Sequence, residues 1–146
     1  MKTPRCLPKS FIVPLATALL AAALPLQTQA LQMRGFRGVM WGDSPAYLGA
    51  AELVAREGDV DCYQRERENL LFGDSELRAL RYCFRHDRLF MVILEPASRG
   101  PALRAEFERG YGAPNKLQGD IALWDAAGES VVAEITPTAL RLQAKE

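Results

Sequence analysis

Residues 77–94, LRALRYCFRHDRLFMVIL, read as two β-strands folded on a tight turn. Leu80, Tyr82 and Phe84 alternate with Arg81, Cys83 and Arg85, the period of two that marks a strand with one buried face. His86-Asp87 interrupts the pattern with turn chemistry, and Leu89 to Leu94 follows as an unbroken apolar run. A short apolar run bounded by polar residues predicts a strand buried on both faces, and Val92 and Ile93 add β-branched preference. This hairpin is placed at the centre of a sheet.

Working back from it, Asp61 to about Leu71 predicts a polar strand paired with the first arm of the hairpin. If Leu70 faces Ser75 across the loop Leu71-Phe72-Gly73-Asp74, the same ladder sets Cys62 opposite Cys83. Directly opposed residues lie about 4.5 to 5.5 Å apart at Cα, within disulfide reach. A Cys62–Cys83 disulfide is therefore expected. No Cys-x-x-Cys is present, which argues against a redox-active pair.

Before that strand, Phe36 to Gly42 predicts a short strand. Asp43, Ser44 and Pro45 then supply helix-start residues for a helix to about Glu57, with Leu48, Ala51 and Ala55 on one stripe and Gly58 as its stop. After the hairpin, Gly100-Pro101 opens a second helix with Leu103, Phe107 and Tyr111 on one face, closed by Gly112 and Pro114. Alternation resumes at Ile121 to Trp124 and Val131 to Ile135, with a last strand at Leu140 to Gln143. Two helices with one apolar stripe each need one apolar sheet face. The expected fold class is α+β: a two-layer sandwich, two helices packed on one face of a mainly antiparallel sheet of about six to seven short strands.

The chain has 146 residues, and its first 30 have the build of a secretory signal. Lys2, Arg5 and Lys9 precede an apolar run from Phe11 to Leu26, and Thr28-Gln29-Ala30 follows as a small-residue cleavage site. Residues 1–30 are expected to be a cleaved signal peptide, leaving 31–146 as a single domain with no transmembrane anchor. The 18 basic and 18 acidic side chains become 15 and 18 once the three basic residues of the signal are removed, a net charge of −3. A mildly acidic domain without a basic block argues against nucleic acid. The paired cysteines and the signal together place the protein in the periplasm, with secretion as the alternative.

Phe36-Arg37-Gly38-Val39-Met40-Trp41-Gly42, the Tyr82-x-Phe84 strand, Leu89 and Tyr111-Gly112-x-Pro114 resemble a group of small exported bacterial proteins of unassigned function. In element order the chain is similar, more distantly, to the small outer-membrane-assembly lipoproteins and the β-lactamase inhibitor protein. Both are protein-binding folds, so the resemblance implies a protein partner. No cysteine follows the signal to carry a lipid, so tethering does not transfer. None of these groups supplies catalytic residues to map here.

Little chemistry is visible in the residues themselves. His86 is the only histidine and falls in the hairpin turn. No metal-ligand spacing and no phosphate-cradling glycine motif occur, so no metal and no cofactor is expected. Glu66, Glu68, Asp74 and Glu76 cluster around one hairpin, and a hydrolase using Glu66 or Glu68 with Asp74 is the least favoured reading. On a strand, Tyr63, Arg65 and Arg67 share a face, and Tyr and Arg are enriched at interfaces. They form the expected surface for a partner, another envelope or secreted protein. Trp41, Tyr47 and Trp124 could instead wall a pocket for a small ligand. The expected function is a non-enzymatic protein-binding module of inhibitor, immunity or envelope-assembly accessory type, with small-ligand binding as the alternative.

Overall fold

The structure, a computed structural model, describes residues 31–145; the expected signal peptide lies outside them. In chain order the strands are β1 (Gly35–Phe36), β2 (Val39–Met40), β3 (Ala51–Glu57), β4 (Val60–Arg65), β5 (Leu71–Phe72), β6 (Ser75–Arg85) and β7 (Arg88–Pro96). One α-helix, α1 (Ala102–Tyr111), precedes β8 (Lys116–Gln118), β9 (Ile121–Trp124), β10 (Val131–Ile135) and β11 (Leu140–Ala144). The strands β3-β4-β6-β7-β11-β10-β9-β8 form one antiparallel sheet in that order; β5 pairs with the start of β6, and β1 and β2 make a separate ribbon.

The hairpin β6–β7 sits in the middle of this order, as its alternation predicts. His86 and Asp87 take φ of 51° and 58°, the left-handed pair that matches the twist of a two-residue hairpin. Leu80, Tyr82 and Phe84 of β6 and Leu89, Val92 and Leu94 of β7 are all buried on one face. The register Cys62↔Cys83 is also as expected, and the two sulfurs are bonded with the Cα atoms 4.0 Å apart. The loop that was to set it differs. Phe72 faces Ser75 across Gly73-Asp74 in a hairpin of its own, while residues 66–70 leave the sheet between β4 and β5.

The two-helix sandwich is overturned: among the described residues there is one α-helix, on a nine-stranded antiparallel sheet. The helix expected from Ser44 to Glu57 is a single 3-10 turn, Pro45–Leu48, followed by the edge strand β3. Ser44 makes no side-chain cap, and the Asp43 carboxylate accepts from Met40 N–H instead of from the turn. Gly49, at φ 73°, stops the turn before a second one forms. Ala51, Glu52, Leu53 and Arg56 are good helix formers, but a helix of three turns is marginal alone, and pairing with β4 satisfies the same backbone groups. A register shift between Leu53 and Ala55 sets Ala51 opposite Arg65 and Ala55 opposite Cys62, so the expected stripe is split between the two faces of the sheet.

The short strand expected over Phe36 to Gly42 is the two-stranded ribbon β1–β2, turning at Arg37-Gly38. Gly35 is required there, because a Cβ would lie 2.1 Å from the Val39 carbonyl oxygen. The segment from Leu31 to Met33 lies along the start of β10: Ser130 N–H donates to the Leu31 carbonyl and Met33 N–H to Ser130 Oγ, both at 3.0 Å.

One face of the sheet is covered. Leu103 and Phe107 of α1, with Leu31, Met33, Phe36, Val39 and Leu48 from the N-terminal stretch, close over Tyr82, Leu94, Trp124, Val131 and Leu142. Phe107 stacks against Phe72 and meets Trp124 edge-on at 4.8 Å. A ring buried this fully stabilises the fold by roughly 1.5–3 kcal/mol through removal from water. No described element lies over the opposite face.

Candidate functional site

The uncovered face is built by alternation. With Leu80, Tyr82 and Phe84 turned inward, β6 presents Arg81, Cys83 and Arg85 outward, and β7 presents Met91, Ile93 and Glu95. Register carries these into two rows across the sheet. One runs Cys62, Cys83, Met91, Gln143, Val132. The other runs Arg81, Ile93, Arg141, Glu134, Leu123, Lys116.

Met91, Ile93, Leu123 and Val132 are half-buried although nothing lies over them. Long charged side chains supply part of the cover: Arg78 and Arg81 both pair with Glu95, and Arg141 pairs with Glu134 at 3.3 Å. The apolar run at the start of β7 is thus explained. It buries one side in the core and offers the other outward, instead of being buried on both faces as expected.

The inner face carries a polar cluster where β4 leaves the sheet. The Glu68 side chain is only 5% exposed. Its carboxylate accepts from Arg37 Nη1 at 2.9 Å and from the Tyr82 hydroxyl at 2.9 Å, and Arg65 Nη1 stands 3.9 Å away. Arg37 also donates to the carbonyls of Asn69 and Leu71, so the cluster fastens the loop of residues 66–70 to the β1–β2 turn. Burial, and next the charge of Glu68 with its hydrogen bond, push the Tyr82 hydroxyl well above its ordinary value; Arg65 and Arg37 pull it back.

These contacts decide the fate of the expected partner surface. Tyr63 and Arg65 do share a face, but it is the inner one. Tyr63 packs edge-on against Phe84 at 5.7 Å, and the Arg65 guanidinium lies 4.9 Å from the Tyr82 ring centre. Arg67 follows the end of β4 and is exposed in the loop. The three are not brought together as one accessible patch.

The expected ligand wall is dispersed too. Trp124 is 2% exposed and donates its indole N–H to the Gly112 carbonyl at 3.0 Å, while Tyr47 is 66% exposed on the 3-10 turn. Trp41 donates to the Met33 carbonyl at 2.8 Å and does line an open groove of about 680 Å³, shared with Arg85, His86, Arg88, Phe90, Gln143 and Lys145. This groove was missed in the sequence because its walls come from three separated segments.

The carboxylates of the hydrolase reading are engaged separately. Glu68 belongs to the Tyr82 cluster, Asp74 is 92% exposed beside Arg109, and Glu66 is exposed in the loop. Among the described residues no three His, Cys, Asp or Glu side chains are grouped to hold a metal ion, and no helix is long and apolar enough to cross a membrane. No protein-family model matches the chain, and comparison with curated proteins and with solved structures likewise yields no match.

Proposed function

We propose that the protein is a non-catalytic, periplasmic binding module that docks another envelope or secreted protein on the uncovered face of its sheet. The observation that carries this reading is the set of outward apolar side chains on the uncovered face. Met91 and Ile93 lie on the central strand β7, with Arg81 and Arg141 flanking Ile93 at the same register; Val132 and Leu123 follow on β10 and β9 beyond Gln143 and Arg141, with no described element over them. An apolar centre with a polar, arginine-bearing rim is the composition of a protein interface. The disulfide lies in the same face, and its presence supports an oxidising compartment. The partner surface proposed here replaces Tyr63, Arg65 and Arg67, two of which face inward.

The test is capture of a partner from envelope extract on the oxidised protein, followed by affinity measurement with the purified partner. Ile93→Ser and Arg141→Glu are each expected to weaken binding at least about tenfold, as central interface positions do. Arg67→Ala, off the face, should leave it unchanged. A partner whose affinity ignores both face substitutions, with the variants folded by circular dichroism, would sink this reading.

A further inference from the structure

The hairpin that centres the sheet ends in a like-charge pair. Arg85 and Arg88 are direct cross-strand partners on the outer face, and like charges directly opposed destabilise a sheet. Only partial neutralisation is at hand. Asp59 stands 3.6 Å from Arg85 Nε and 3.7 Å from His86 Nε2, and Lys145 is held by Asp125 at 3.0 Å. Among the described residues no carboxylate forms an ion pair with Arg88.

The Arg85 guanidinium is also held in place, 4.4 Å from the ring centre of Phe90. Phe90 is the unopposed residue of a bulge, since Cys83 faces Met91 while Phe84 faces Leu89. A bulge re-aims a side chain, and here Arg85, Arg88 and Phe90 all line the groove that Trp41 walls. A stacked guanidinium keeps its fork of donors pre-organised for a planar or tetrahedral oxyanion.

We infer that this groove binds an aromatic oxyanion: a flat ring carrying a carboxylate or a phosphate. The anion lies between Arg85 and Arg88 and relieves their repulsion, Gln143 supplies a further donor, and the ring rests on the apolar wall of Trp41. The groove volume is within the range of small-molecule sites. A nucleic-acid strand is disfavoured because the other arginines of the outer sheet face are matched by carboxylates, Arg78 and Arg81 by Glu95 and Arg141 by Glu134, so no basic track continues from the groove. The inference needs no partner on the sheet face and is tested without one.

The experiment is a nitrogen-15 NMR titration of the oxidised protein, reading the Trp41 indole and the backbone amides of Arg85, Arg88 and Phe90. Benzoate and phenyl phosphate are the probes; inorganic phosphate and benzyl alcohol are the controls. Saturating shifts at these sites are expected with at least one probe, which then names the anion. Both controls should bind at least about tenfold more weakly. Arg88→Gln should weaken the probe at least about tenfold, with Arg88→Lys intermediate because it keeps the charge and loses the fork. In the absence of probe, Arg88→Gln should melt about 1–4 °C higher, because a like charge is removed. No saturation at Trp41 by roughly 10 mM probe overturns the inference. So does unchanged affinity in Arg88→Gln, or inorganic phosphate binding as tightly as the aromatic probes.

Discussion

Tyr82 is wholly buried, and its hydroxyl donates to Glu68 at 2.9 Å. Ionising it would place a second negative charge beside a carboxylate in a dry setting, so the folded protein holds this proton to a pH above the ordinary tyrosine value. The unfolded chain releases it near pH 10. Below that pH both states keep the proton and the contribution to stability is complete. Above it the unfolded state binds fewer protons than the folded one, so stability falls until the raised folded value is passed. The expected slope is at most about 1.4 kcal/mol per pH unit. Urea midpoints measured between pH 9 and 11 check this: the wild type should lose stability more steeply than Tyr82→Phe, and parallel slopes would show that Tyr82 is not the group concerned. The arginines belong to the same arrangement. With Glu68 between them, Arg37 and Arg65 can lie half-buried, although Arg65 Nε has no hydrogen-bond partner. Nothing in the sequence around Glu68 shows this, because its partners come from positions 37, 65 and 82, whose meeting depends on a loop leaving the sheet.

At the scale of elements, legibility followed local chemistry. His86-Asp87 could be read as a turn because His and Asp are among the few non-glycine residues that tolerate positive φ, and both adopt it. The conformation still costs an L-residue free energy that glycine avoids. Asp87→Gly is therefore expected to stabilise the fold by about 0.5–1 kcal/mol, and Asp87→Val to destabilise it by at least as much. Urea unfolding of the two variants decides it, and a Gly variant no more stable than the wild type would mean that Asp87 makes a compensating contact. The helix α1 was equally legible: Gly100-Pro101 opens it, Gly112 at φ 84° closes it, and Leu103 and Phe107 are its buried stripe. The residues from Ala51 to Glu57 misled for a physical reason. Their helix propensity is real, but Gly49 breaks the nucleus, and a neighbouring strand with unpaired backbone groups offers a better partner than solvent. Strands β5 and β8, of two and three residues, are too short to show any period.

For the molecule as a whole, the apolar run of β7 explains why the site was harder to see than the sheet. A strand buried on both faces and a strand with one buried and one waiting apolar face have the same sequence, and only the layer count separates them. Here the described residues provide one layer, α1 and the stretch from Leu31 to Leu48, all on one side. The other side is then held together by its own cross-strand contacts, chief among them the disulfide that clips β4 to β6. β6 and β7 are joined by a tight turn and the rest of the sheet is anchored through β11 on β7, whereas β4 reaches β6 only after the excursion of residues 66–70. The crosslink therefore fastens a pair of neighbouring strands that no tight turn joins. Closing a loop with a sequence separation of 21 stabilises the fold by about 3 kcal/mol on the chain-entropy account, a large share of the roughly 5–15 kcal/mol that holds a domain together. Reduction is expected to lower the urea midpoint by the equivalent of that amount, and the Cys62→Ala, Cys83→Ala double variant should behave like the reduced protein. Amide exchange should locate the loss in β3, β4 and the residue 66–70 loop, while β7, β10 and β11 stay protected up to global unfolding. Uniform loss of protection across all the strands would instead make the sheet one cooperative unit, with the disulfide acting only through the unfolded chain.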